Sequence, residues 1–158
     1  MNVNALIVKK EINKKTDEIL NEINRFSCIK DIRGAFVDDD NEDGKRDKKI
    51  GRTQLASLLS DVKNASTVDE IKLYISYKKA KAKKNSWATV CDNKTVAEHL
   101  IDSIKNMEQL AESLRPLIEK DQGEILTQED MRVIKLMIVE KFLGYLYWKG
   151  TVMANKEG

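Results

Sequence analysis

The segment Met131–Trp148 constrains the fold more than any other. Met131, Val133, Ile134, Leu136, Met137, Ile138, Val139, Phe142, Leu143, Tyr145, Leu146 and Trp148 wrap nearly every side of a helix. A helix apolar all round belongs in the middle of a bundle or against a partner chain. Arg132, Lys135, Glu140 and Lys141 interrupt the run, which is too many charges for a membrane span. Thr127 is placed to cap this helix and Gly150 to stop it near Lys149.

Four further helices surround it in the pattern. Val8, Ile12, Ile19, Ile23 and Phe26 share one face of a helix predicted over Asn4–Phe26. Leu55, Leu58, Leu59 and Val62 form the stripe of a second, starting near Thr53 as N-cap. Thr67 with Glu70 reads as a capping box opening a third, with Ile71, Tyr74 and Ile75 inward. Thr95 with Glu98 repeats the signal for a fourth, whose period runs through Val96, Leu100, Ile104, Met107, Ala111 and Leu114. Pro116 is expected to kink or end it, and Asp121-Gln122-Gly123 to turn the chain. No strand and no internal repeat is read. With one Pro and seven Gly in 158 residues, the chain is not of a Pro/Gly-rich low-complexity type. The expected fold is therefore all-α: one domain over 1–158, a helical bundle of about five helices.

The pattern fails between Arg33 and Lys49. Five acids lie between Asp38 and Asp43, followed by Lys45, Arg46, Asp47, Lys48 and Lys49. A flexible charged loop is predicted over 33–49. Asp39-x-Asn41-x-Asp43-Gly44 matches the first half of an EF-hand loop, with Asp47 available at position 9. The second half departs, because Ile50 stands where a bidentate Glu is required and Arg46 where an apolar residue is usual. A solvated acidic loop is therefore the expectation. A calcium-dependent module would reveal itself by a calcium-induced rise in thermal midpoint.

The clearest charge signal is a run of six lysines and no acid from Lys72 to Lys84. Lys78, Lys79, Lys81, Lys83 and Lys84 point almost all round a helix axis, so that end is expected to project into solvent or onto an anion. Lysines at a helix C-terminus also gain from the macrodipole without any function. Neutralisation of phosphates is the functional reading, with Tyr74, Tyr77 and Trp87 at hand to stack on bases. Residues 98–130 hold nine acids and three bases, so the net charge of +2 conceals a basic and an acidic stretch.

No reactive constellation is legible. His99 stands between Glu98 and Leu100 with no nucleophile beside it, and is expected to be a surface or half-buried structural residue. Cys28 and Cys91, 63 positions apart, suggest neither a disulfide scaffold nor a zinc module. The sequence contains no Gly-rich phosphate loop, HExxH or GxSxG. No catalytic residues, metal ligands or cofactor are assigned. The short apolar stretch Ala5–Val8 runs into Lys9 and Lys10, which does not suit a signal peptide, so a soluble cytoplasmic protein with reduced thiols is expected.

Two segments resemble a known family. Lys49-Ile50-Gly51-Arg52-Thr53-Gln54-Leu55-Ala56-Ser57-Leu58-Leu59 is similar to the leucine-rich helix of the small helical subunit of type III-A CRISPR effector complexes. Glu140-Lys141-Phe142-Leu143-Gly144-Tyr145-Leu146-Tyr147-Trp148-Lys149-Gly150 resembles that family's closing pattern. Tyr77–Lys81 stands where the family has a Tyr followed by a basic residue, and the likeness spans roughly 49–150. Ala56 and Leu146-Tyr147 replace basic residues of the family pattern.

The resemblance implies a non-catalytic subunit of an RNA-guided ribonucleoprotein. Such a subunit contacts the backbone of the guide–target RNA duplex, the backbone and large subunits of the effector, and copies of itself. Arg52, Lys78, Lys79, Lys81, Lys83 and Lys84 are the expected RNA-binding residues. The alternative is a helical protein-interaction module without a nucleic-acid role, docking through its apolar C-terminal helix.

Overall fold

The computed structural model describes residues 4–36, 50–82 and 86–154. Seven α-helices occur among these residues, with one 3-10 turn and one short hairpin. The architecture is an all-α bundle. The helices are α1 (Ala5–Lys14), α2 (Thr16–Ser27), α3 (Ile32–Phe36), α4 (Gly51–Val62), α5 (Val68–Ala82), α6 (Val96–Gln122) and α7 (Gln128–Ala154). The hairpin pairs β1 (Val90–Cys91) with β2 (Lys94–Thr95) in antiparallel register, Val90 opposite Thr95.

The apolar helix α7 lies at the centre and packs against α2, α3, α4, α5 and α6. Ile134, Ile138, Val139 and Phe142 are completely buried along it. Thr127 opens α7 through a reciprocal cap: Asp130 N–H donates to Thr127 Oγ1 at 3.0 Å, and Thr127 N–H donates to Asp130 Oδ2 at 2.9 Å. The expected stop at Gly150 does not occur, and α7 continues to Ala154. Gly150 is instead a close-approach residue, since a Cβ there would run into the Leu55 side chain of α4. α4 lies antiparallel to α7, with Leu55 at Gly150 and Lys63 near Glu140.

The helix expected over Asn4–Phe26 is two helices meeting at Lys15. Lys15 N–H donates to Ile12 O and the Thr16 hydroxyl donates to Asn13 O, so a side chain takes a carbonyl that the ladder would otherwise use. α4 starts at Gly51, with φ of 51°, two residues ahead of the Thr53 cap position. Residues 33–36, predicted as part of the charged loop, are helical instead, because Ile32, Ala35 and Phe36 all reach the core. Phe36 meets Phe26 edge to face at 6.0 Å. Ile50 is fully buried and its N–H donates to Ala35 O at 2.8 Å, tying the start of α4 to α3. The EF-hand-like residues Asp39–Gly44 and Asp47 lie outside the described residues.

The hairpin is the other departure from expectation. Asp92 and Asn93 both have positive φ, 50° and 71°, which is the demand of a two-residue primed turn. It delivers Thr95 to the start of α6, where Glu98 N–H donates to Thr95 Oγ1 and Thr95 N–H donates to Glu98 Oε1, each at 3.1 Å. This is the capping box read from the sequence. His99 is buried and its Nε2 bonds to the Cys91 carbonyl, pinning the hairpin to α6. α6 then passes Pro116 without ending. Leu114 and Ile118, on either side of it, are completely buried, and that burial offsets the missing amide donor. Gly123, φ 79°, closes the helix with its N–H on Glu119 O.

Candidate nucleic-acid interface

Helix α5 carries the lysine cluster. Glu70 N–H donates to Thr67 Oγ1 at 3.2 Å, while the Glu70 carboxylate accepts from Ser66 N–H, one residue earlier than a standard capping box. Val68, Ile71 and Ile75 form the buried stripe that holds α5 onto α6 and α7. Beyond Ile75, Ala82 remains partly packed on the core and the 3-10 turn Ser86–Ala88 returns against α5. The end of α5 is therefore not a free projection, as its lysine content suggests. Trp87, in that turn, is only 2% exposed and belongs to the core. It is thus not a stacking platform.

The lysines separate into distinct settings. Lys72, far from exposed, is held by Glu108 of α6 and lies 3.7 Å from Asp69. Lys79 is half-buried and sits 3.8 Å from Glu98. Lys78 lies over the Tyr74 ring, 5.5 Å from its centroid. Lys81 is exposed and has no ionic partner among the described residues. Lys83, Lys84 and the Arg52 side chain lie outside the described residues. From Leu73 to Ala82 the helix contains no acid.

The two aromatic residues of α5 also differ. The Tyr74 hydroxyl donates to the Asp61 carboxylate, and the ring is half-buried. Burial, then that hydrogen bond, pushes the phenol pKa up. Tyr77 lies 6.4 Å from Tyr74 and is 55% exposed. Leu73, one turn before Tyr77 on the same face, is 71% exposed. The sequence offers Tyr77 as a stacking residue, but the exposure of Leu73 has no sequence signal, because an apolar residue on a helix is ordinarily assigned to the core.

The acidic stretch lies against the basic one rather than at an opposite pole. Glu98, Asp102, Glu108 and Glu112 of α6 hold Lys79, Lys94, Lys72 and Lys135 respectively. Hydrogen bonds from the Thr95 backbone and hydroxyl hold Glu98 below the usual carboxylate range, with Lys79 and Lys94 adding to the shift. The hydrogen bond to Asp102, 2.6 Å long, raises Lys94. Segregation of charge along the chain is therefore partly answered in space, and Lys78 and Lys81 are the described members of the cluster left without a carboxylate partner.

A cleft of about 490 Å³ opens between α5, α6 and α7, lined by Asp69, Glu108, Glu112, Arg115, Arg132 and Lys135 among others. Lys135 pairs with Glu112 at 3.0 Å and Arg115 with the same carboxylate at 3.9 Å, while Asp69 and Glu108 hold Lys72, and Arg132 lies 3.3 Å from Glu129. The described residues include no group of three or more His, Cys, Asp or Glu arranged to hold a metal ion. Among them, no helix is long and apolar enough to cross a membrane. No protein-family model, curated protein or solved structure matches this chain.

Proposed function

We propose that this chain is a non-catalytic, RNA-contacting small subunit of an RNA-guided ribonucleoprotein effector of the type III CRISPR kind. One observation carries the reading. The last turns of α5 carry no acid of their own, and there Lys78 and exposed Lys81 flank exposed Tyr77. Cations of this kind neutralise phosphates, and an exposed ring adds a stacking surface. Phosphate contacts of this sort position RNA without reading sequence, which suits a complex in which base pairing does the reading. The resemblance of residues 49–150 to the small-subunit family supplies the class of assembly. Its partners would be guide and target RNA, the backbone and large effector subunits, and further copies of the chain, in the cytoplasm.

The test is fluorescence anisotropy with a short RNA across a salt series from about 50 to 200 mM. Log affinity should fall linearly with log salt, and the slope should shrink by about 0.7 for each phosphate of a single strand that is no longer neutralised. Charge reversal of Lys78, Lys81, Lys83 and Lys84 together should flatten it. Unchanged affinity and slope in that variant would refute the site.

A second reading, a protein-interaction module, is favoured by Trp148 and Val152, 66% and 51% exposed one turn apart on α7. Partner capture that survives nuclease and high salt would support it over the first.

A further inference from the structure

We infer that the α5 surface takes an unpaired RNA nucleotide, with Tyr77 as the platform for its base, in preference to the duplex. This rests on the RNA-contacting reading above and specifies its substrate. Of the three aromatic residues near the lysines, the fold leaves one available. Trp87 is sealed in the core, and Tyr74 is anchored to Asp61 and covered by Lys78. Tyr77 remains open. Tyr74 lies 6.4 Å from it, but its neighbours Ser76 and Ala80 are exposed and small, and the residue stays more than half exposed.

The surroundings fit a single strand. Leu73 lies one turn before Tyr77 and Lys81 one turn after it, on nearly the same line along the helix. That places an apolar contact for a base or sugar on one side of the ring and a partner-free ammonium for phosphate on the other. In a duplex the base faces are already stacked on one another, and side chains meet chiefly sugar edges and phosphates. An exposed ring flanked by leucine gains nothing from such a surface, whereas an unstacked base offers it a π-face. A purely electrostatic RNA contact would not need Leu73 and Tyr77 in water.

The decisive measurement compares one labelled RNA, single-stranded and annealed to its complement, against the full chain and two variants. Tyr77→Ala should weaken single-strand binding roughly tenfold, leaving duplex binding and the salt slope unchanged. Tyr77→Phe should keep single-strand affinity near that of the parent, because the ring and not the hydroxyl is used. Circular dichroism should show parent helicity in both, since the side chain is exposed. If Tyr77→Ala leaves single-strand binding unchanged, or lowers both forms equally, the inference is overturned while RNA contact through the lysines stands. If neither form binds even at low salt, the RNA-contacting reading falls as well.

Discussion

The glycines of α7 show how one residue type takes its meaning from what lies beside it. Gly150 meets the side chain of Leu55, itself buried, whereas Gly144 has nothing within 4 Å of the position a Cβ would take. Alanine should therefore act with opposite sign at the two sites. Gly144→Ala should stabilise by up to about 1 kcal/mol, the difference in helix propensity. Gly150→Ala gains the same propensity but forces Leu55 out of place, an overpacking cost of about 1–3 kcal/mol, so a net loss is expected. Urea midpoints of the two variants check this; stabilisation at Gly150 would mean that α4 yields more readily than its buried contact implies.

At the level of elements, α2 and α6 are joined by a polar cross-link within an apolar seam. Glu22 accepts from Ser103 Oγ at 2.7 Å, from Asn106 Nδ2 at 3.2 Å and from Arg25 Nε at 2.9 Å, while Arg25 also donates to Ser103 at 3.1 Å. The Glu22 hydrogen bond is the main cause of the raised Arg25 pKa. Ser103 is fully buried. Ser103→Ala removes one donor from a buried carboxylate that keeps Arg25 and Asn106, and a loss of roughly 1.5–3 kcal/mol is expected for a hydrogen bond to a charged group. The denaturant midpoint should fall with the slope unchanged, because the unfolded chain is the same. Caps work at this scale too. The box at Thr95 and the cap at Thr127 were legible, since they depend on residues three apart. The passage through Pro116 depends on what is buried on either side, and the hairpin at Asp92-Asn93 on a turn two residues long.

For the molecule as a whole, one connected core runs from Val8 in α1 to Met153 in α7. A central helix that touches five others cannot leave the core without exposing all of them. Unfolding should therefore be one cooperative transition, with calorimetric and van't Hoff enthalpies in agreement. Two separated transitions would show that α1–α3 form a unit of their own. Whole-molecule packing also decides the charge pattern. Lysines that form an unopposed run in the sequence are partly answered by α6 carboxylates in the fold, which leaves fewer unpaired cations than the run contains.

By itself the chain determined its helical class, the all-round apolar character of the Met131–Trp148 helix and the caps at Thr67, Thr95 and Thr127, because helical periodicity and capping are local physics read within a few residues. Only the tertiary structure decided which side chains face water: Trp87 inward, Tyr77 and Leu73 outward, Lys79 against Glu98, Gly150 against Leu55. Those outcomes depend on which helix packs over which. Lys79 and Gly150 meet partners from other helices, far along the chain from themselves, and no local pattern carries that information.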